Sequence, residues 1–164
     1  MSLSLYECSI PVFIHSLSNL NDLLEAGAQY GAEHGLEDEV LSSARLFPNM
    51  LPLTKQVQIA CDIAKRGSAR MASIEPPTDE DTETTFDQLK ARIDKTKQFL
   101  AGIQAEAING TEDKSITMQA GPNVYTFTTR DYLNSWAVPN LYFHVTTTYN
   151  ILRHNGVVVG KGDF

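Results

Sequence analysis

Apolar residues recur three and four positions apart in four long stretches of this chain, and glycine, proline or a run of charge ends each stretch. Side chains at that spacing share one face of a helix, so the pattern restricts the chain to amphipathic helices packed on one another. The clearest case is roughly residues 84 to 105. There Phe86, Leu89, Ile93, Thr96, Leu100 and Ile103 keep a strict 3-4-3-4-3 spacing, with Thr84 as the expected cap and Asp87 three residues on.

Three more stretches follow the same rule. Residues 3 to 34 carry Leu3, Ile10, Phe13, Ile14, Leu17, Leu20, Leu24 and Ala28, with Ser2 or Ser4 as cap and a bend expected at Pro11. Residues 51 to 73 open on Pro52 and carry a small-residue stripe of Leu53, Val57, Ala60, Cys61, Ala64, Ser68 and Met71. Such a stripe lets a neighbouring helix come close. Residues 130 to 154 carry Trp136, Leu141, Tyr142, Val145, Tyr149 and Leu152, with Thr129 as cap, a kink expected at Pro139 and a stop at Asn155-Gly156. A short helix fits residues 37 to 44.

Two segments break the helical period. Residues 114 to 129 alternate and are rich in β-branched and aromatic side chains, which predicts two strands joined by a turn at Gly121-Pro122. Residues 75 to 83, Glu-Pro-Pro-Thr-Asp-Glu-Asp-Thr-Glu, read as a mobile acidic linker without chemistry. The tail from Val157 reads as extended. The expected fold class is therefore all-α: a four-helix bundle with a short β-hairpin inserted before the last helix, forming a single domain over residues 1 to 164.

Charge narrows the partners. The chain carries a formal net charge of -7, and its basic residues form no cluster beyond Lys65, Arg66 and Arg70. No electrostatic footprint for nucleic acid or an anionic membrane is expected. No apolar run reaches the ~18 residues of a membrane span. The first residues make a poor signal peptide, since Glu7, Pro11 and His15 interrupt them, and a cytoplasmic location is expected. Cys8 and Cys61 read as buried free thiols, with a disulfide between them left open.

Candidate chemistry gathers on two helices. Asn140, His144 and Thr148 stand four residues apart and line one face of the last helix. Gln58 and Asp62 form a similar pair on the second long helix. These five side chains are the candidate anchors of a pocket between those helices. His144 also reads as a buried histidine hydrogen-bonded to Gln58, Asn140 or a hydroxyl.

Several blocks together resemble one family. They are Met1-Ser-Leu-Ser-Leu-Tyr6, Leu46-Phe-Pro-Asn-Met-Leu-Pro-Leu53, Gln56-Val-Gln-Ile-Ala60, Thr84-Thr-Phe86, Phe143-His-Val-Thr-Thr-Thr-Tyr149 and Leu152-Arg-His-Asn-Gly156. The chain resembles the domain-of-unknown-function family nineteen ninety-three, grouped with the DinB/YfiT-like helical bundles. That larger group includes metal-dependent thiol transferases and hydrolase-like proteins. In them three histidines bind a divalent metal, one from the second helix and two spaced His-x-x-x-His on the fourth. Homodimers are common among them.

The carry-over is partial. His144 matches the first histidine of the pair, but position 148 is Thr148. The second helix has no histidine, and Gln58 or Asp62 is expected in its place. His154 does not substitute, because ten helical residues rise about 15 Å while a zinc–nitrogen bond is about 2 Å. A His15–His144–Asp62 set is the remaining arrangement for zinc or nickel. The resemblance thus implies His144 as a metal ligand in a degenerate site. The residues are compatible with a small-molecule-binding module, a divalent-metal-dependent transferase or hydrolase using His144, or a non-catalytic dimeric scaffold.

Overall fold

The computed structural model describes residues 3–164. The expected cap Ser2 lies outside them. The chain is mostly helical, with one two-stranded antiparallel sheet.

Helix α1 spans Ile10–Glu33. It starts later than the apolar spacing suggests, because residues 5–9 form turns and Tyr6 N–H is tied to Asn109 Oδ1 at 3.0 Å. Pro11 therefore falls in the first helical turn, where its missing N–H has no intrahelical partner to lose. The expected bend is replaced by a helix start. Ser4 Oγ accepts from Glu7 N–H at 3.2 Å and so caps the preceding turn.

Helix α2 spans Asp38–Ser42, and α3 spans Leu53–Ala72 directly after Pro52. Every member of the small-residue stripe of α3 is buried. Through this stripe and its neighbours α3 packs against both α4 and α6. Helix α4 spans Phe86–Ala101. Its cap is Thr85, one residue later than expected, and Gln88 closes the capping box: Thr85 Oγ1 accepts from Gln88 N–H, and Gln88 Oε1 from Thr85 N–H.

Strands β1 (Ser115–Ala120) and β2 (Asn123–Thr128) pair antiparallel about Gly121-Pro122, with Ala120 opposite Asn123. Gly121 takes a positive φ of 58°, which the tight turn requires. An isolated hairpin is marginal in water. This one lays Tyr125 and Phe127 against Trp136, with ring centres 5.1 and 5.9 Å apart.

Helical backbone then continues from α5 (Thr129–Tyr132) through a π-helical turn (Leu133–Ala137) into α6 (Val138–His154). The cap is Thr128, whose Oγ1 accepts from Asp131 N–H at 3.1 Å; the expected cap Thr129 instead bonds the Lys114 carbonyl. Pro139 cannot donate to the carbonyl four residues back and would clash with it. The wider π turn just before it accommodates both defects. At the far end Gly156 has φ 98°, and Val157 N–H reaches the Leu152 carbonyl at 3.1 Å. That is the Schellman closure expected of Asn155-Gly156. Both cysteines are free thiols. No helix among the described residues is long and apolar enough to cross a membrane.

Candidate functional site

His144 sits two turns inside α6, half-buried, where α6 lies along the start of α3. Its partner is Gln56. The Gln56 amide nitrogen donates to the Leu51 carbonyl at 3.0 Å, which turns the amide oxygen toward the imidazole. His144 Nδ1 lies 2.7 Å from that oxygen. An oxygen acceptor needs a donor, so the network assigns the proton to Nδ1 and leaves the lone pair on Nε2. Nε2 has no hydrogen-bond partner among the described residues, nor is it sealed in the interior. Burial lowers the His144 pKa from its ordinary value, so the ring is neutral near pH 7.

The surroundings are apolar and open. The Phe143 ring stands edge-on to the imidazole at 5.2 Å and is 57% exposed. Leu51, whose carbonyl holds Gln56, is also exposed. Asn140 and Thr148 do share the His144 face of α6, but both spend their polar groups on the helix itself. Asn140 Nδ2 donates to the Trp136 carbonyl at 2.7 Å, and Thr148 Oγ1 to the His144 carbonyl at 3.0 Å.

Gln58 and Asp62 lie elsewhere. They belong to the face of α3 turned toward α4 and the acidic segment before it. Gln58 donates to Glu83 at 2.7 Å. Asp62 is paired with Arg92 at 3.1 Å, Lys65 at 3.3 Å and Arg66 at 3.0 Å. The structure therefore divides the five candidate anchors into two groups. Gln56 escaped notice in the sequence although it sits in the buried stripe with Leu53, Val57 and Ala60. A polar residue on an apolar face was the available signal. Arg92 gave the same signal, while Lys65, which the sequence offered only as part of a basic cluster on a solvated face, is buried as well.

His15 is on the exposed side of α1. With Ser16, Asn19, Tyr142, Val145 and Phe164 it lines a cleft of about 220 Å³ between α1 and α6. His154 is exposed at the end of α6.

A family model described as Domain of unknown function (DUF1993) matches residues 5–164. The chain belongs to that family. The DUF1993 chain is also similar to a solved structure, that of a DinB family member protein from Shewanella denitrificans. The two share 35% identity and superpose with a TM-score of 0.88, over 97% of this chain and 90% of that one. No curated protein matches the chain.

The three-histidine metal site implied by the resemblance can be set against these residues. On α3 the side chain facing His144 is Gln56, not Gln58 or Asp62, and its amide oxygen is already occupied by His144 itself. Thr148 stands where the second histidine of the pair would fall, with its hydroxyl on backbone. Asp62 is held by three cations, so a His15–His144–Asp62 set is not gathered. Among the described residues no group of three or more His, Cys, Asp or Glu side chains is close enough to hold a metal ion. Zinc requires at least three protein donors of these kinds, and the residues of this DUF1993 chain do not fit that site.

Proposed function

We propose that this DUF1993 protein is a small-molecule-binding member of the DinB-like group, built on a four-helix bundle of α1, α3, α4 and α6. His144 is its polar anchor. The observation that carries the reading is the chain of bonds from the Leu51 carbonyl through Gln56 to His144 Nδ1, which fixes one tautomer and presents a neutral Nε2 acceptor beside exposed Phe143. A neutral, oriented imidazole with a free lone pair accepts a hydrogen bond or, with a sufficiently acidic partner, a proton. The ligand class is a small aromatic or apolar molecule with one N–H or O–H donor. Gln58 and Asp62 are not part of this anchor set, because they lie on the α4 side of α3, with the Gln58 amide N–H on Glu83 and Asp62 paired with cations.

A divalent-metal-dependent transferase or hydrolase is the alternative, to which His144 Nε2 would bring one donor while the other donors of a metal site are not gathered among the described residues. An imidazole that ligates metal commonly has its other nitrogen held this way. One experiment separates the two. Thermal-shift screening of small aromatic donors, and of zinc and nickel, is run on the wild type and on His144→Ala. The expected result is stabilisation by an organic ligand that His144→Ala abolishes. Stoichiometric metal bound by the wild type and lost in the variant would replace this proposal with the metalloenzyme reading. Organic hits that bind both proteins equally would remove His144 from the site.

A further inference from the structure

The acidic segment 75–83 was expected to be a free linker. It lies instead across α3 and α4, and its attachment is unusual. From Glu75 to Glu83 it forms no backbone–backbone hydrogen bond among the described residues, and its sequence offers no large apolar side chain beyond Pro76 and Pro77. Charge holds it. Asp79 is paired with Lys65 and Lys95, Asp81 with Lys55 at 2.8 Å and Arg92 at 3.0 Å, and Glu83 with Arg92 at 3.0 Å.

The cations beneath are the odder half. Lys65 and Arg92 are only 1% and 4% exposed, one on α3 and one on α4. Burying charge is costly unless it is paired and fully hydrogen-bonded. Helix residues supply Asp62 for this purpose, and the remaining counter-charge comes from the strap. Even with the strap in place the bonding is incomplete. Gln58 Oε1 and Arg92 Nε are both buried without a partner. Arg92 and Lys95 also line a cleft of about 350 Å³ along the strap. Of the two, the Arg92 Nε–H is the one that can donate to an anion, so the helices offer one more buried donor than the strap uses.

We propose that Lys65 and Arg92, with Lys95 at the rim and the Gln58 amide N–H beside them, form a binding site for a compact polyanion, and that the carboxylates of residues 79–83 occupy it as a displaceable lid. Lifting the strap leaves buried Lys65 and Arg92 with Asp62 as their one paired carboxylate, which Arg66 also shares. Carboxylate pairs on arginine and lysine have the geometry that phosphate oxygens take. The site is on the opposite side of α3 from His144 and does not rest on the function proposed above.

Inorganic pyrophosphate is the probe. Calorimetry compares the wild type, Asp79→Asn/Asp81→Asn/Glu83→Gln, and that triple variant with Lys65→Met added. The triple variant is expected to bind pyrophosphate at least tenfold more tightly than the wild type, and Lys65→Met to abolish the gain. Equal or absent binding in a triple variant that retains wild-type circular dichroism overturns the proposal. Should the triple variant not fold, limited proteolysis of the wild type decides. Pyrophosphate is expected to speed cleavage within residues 75–83 beyond sodium chloride of equal ionic strength, and equal rates in the two salts overturn the lid.

Discussion

At the residue scale, Gln56 sets the tautomer of His144 and burial sets its charge. Its amide is locked by the Leu51 carbonyl and accepts from Nδ1. Burial disfavours the imidazolium. Gln56→Glu replaces a neutral acceptor with a carboxylate at the same distance, which favours the charged ring. The pH titration of the His144 ring protons by NMR is expected to move upward in Gln56→Glu relative to the wild type. An unchanged midpoint would mean that the pair does not persist in solution. The sign for stability also follows. A base whose pKa is lowered on folding contributes stability above its unfolded value near 6.5, and that contribution fades as pH falls toward the folded value. The sequence marked His144 but not Gln56, because helical spacing identifies which residues share a face and not which partner on another helix they meet. Cys61 shows the same limit from the other side. It was expected to be buried, and burial, against the opposing Thr96 hydrogen bond and Arg92 charge, pushes its thiol up to about 12. It is packing, not a nucleophile.

At the scale of elements, periodicity worked where apolar burial decides and failed where charge decides. Helix α4 and the hairpin were legible because their apolar patterns are complete. Boundaries moved by a residue where two threonines compete as caps, as at Thr84 and Thr85 or Thr128 and Thr129. The strap is not legible in the sequence because its partners are remote: Lys65 and Lys55 precede it, Arg92 and Lys95 follow it, and no local pattern joins them. Its chemistry predicts acid lability. Burial alone would raise the Asp79 carboxyl, but hydrogen bonds from Lys65 and Lys95 outweigh it and hold the group at about 2. The Lys55 hydrogen bond lowers Asp81, and for Glu83 the bonds from Arg92 and Gln58 overcome desolvation. Carboxylates lowered on folding contribute stability above their unfolded values near 4, and lose it as pH falls through the folded ones. Lys55, Asp62, Lys65, Arg92 and Lys95 are the charged groups facing them. Between pH 4 and about 2 the strap is expected to release. Amide hydrogen exchange on α3 and α4 beneath it, at Gln58 to Lys65 and at Arg92, should then accelerate before the α1 core opens. Simultaneous loss at α1 and at the strap would refute a separable element.

At the scale of the whole molecule, the family was legible from short blocks, several of which sit where helices begin, end or touch. The Leu46–Leu53 block delivers α3, the Phe143–Tyr149 block carries His144, and the Leu152–Gly156 block closes α6. Apolar spacing alone could not say how tightly three helices meet, and one glycine does. Gly27 is buried on α1, and a methyl group added there would lie 2.9 Å from Leu152 Cδ2 on α6 and 3.1 Å from the Phe86 ring on α4. Leu152 and Phe86 are themselves fully packed, with 0% and 1% exposure, so neither side chain has space to retreat. Alanine is the better helix former, by up to about 1 kcal/mol at an unobstructed site. Overpacking a dense core costs about 1–3 kcal/mol. The steric term is the larger, so Gly27→Ala is expected to lower stability by about 1–2 kcal/mol in urea unfolding with an unchanged m-value. A companion change, Leu152→Val, shortens the group that the new methyl meets first. Because the two positions touch, their effects should not add, and the double variant is expected to be more stable than the sum of the single losses predicts. Strict additivity would place Gly27 outside the junction of α1, α4 and α6.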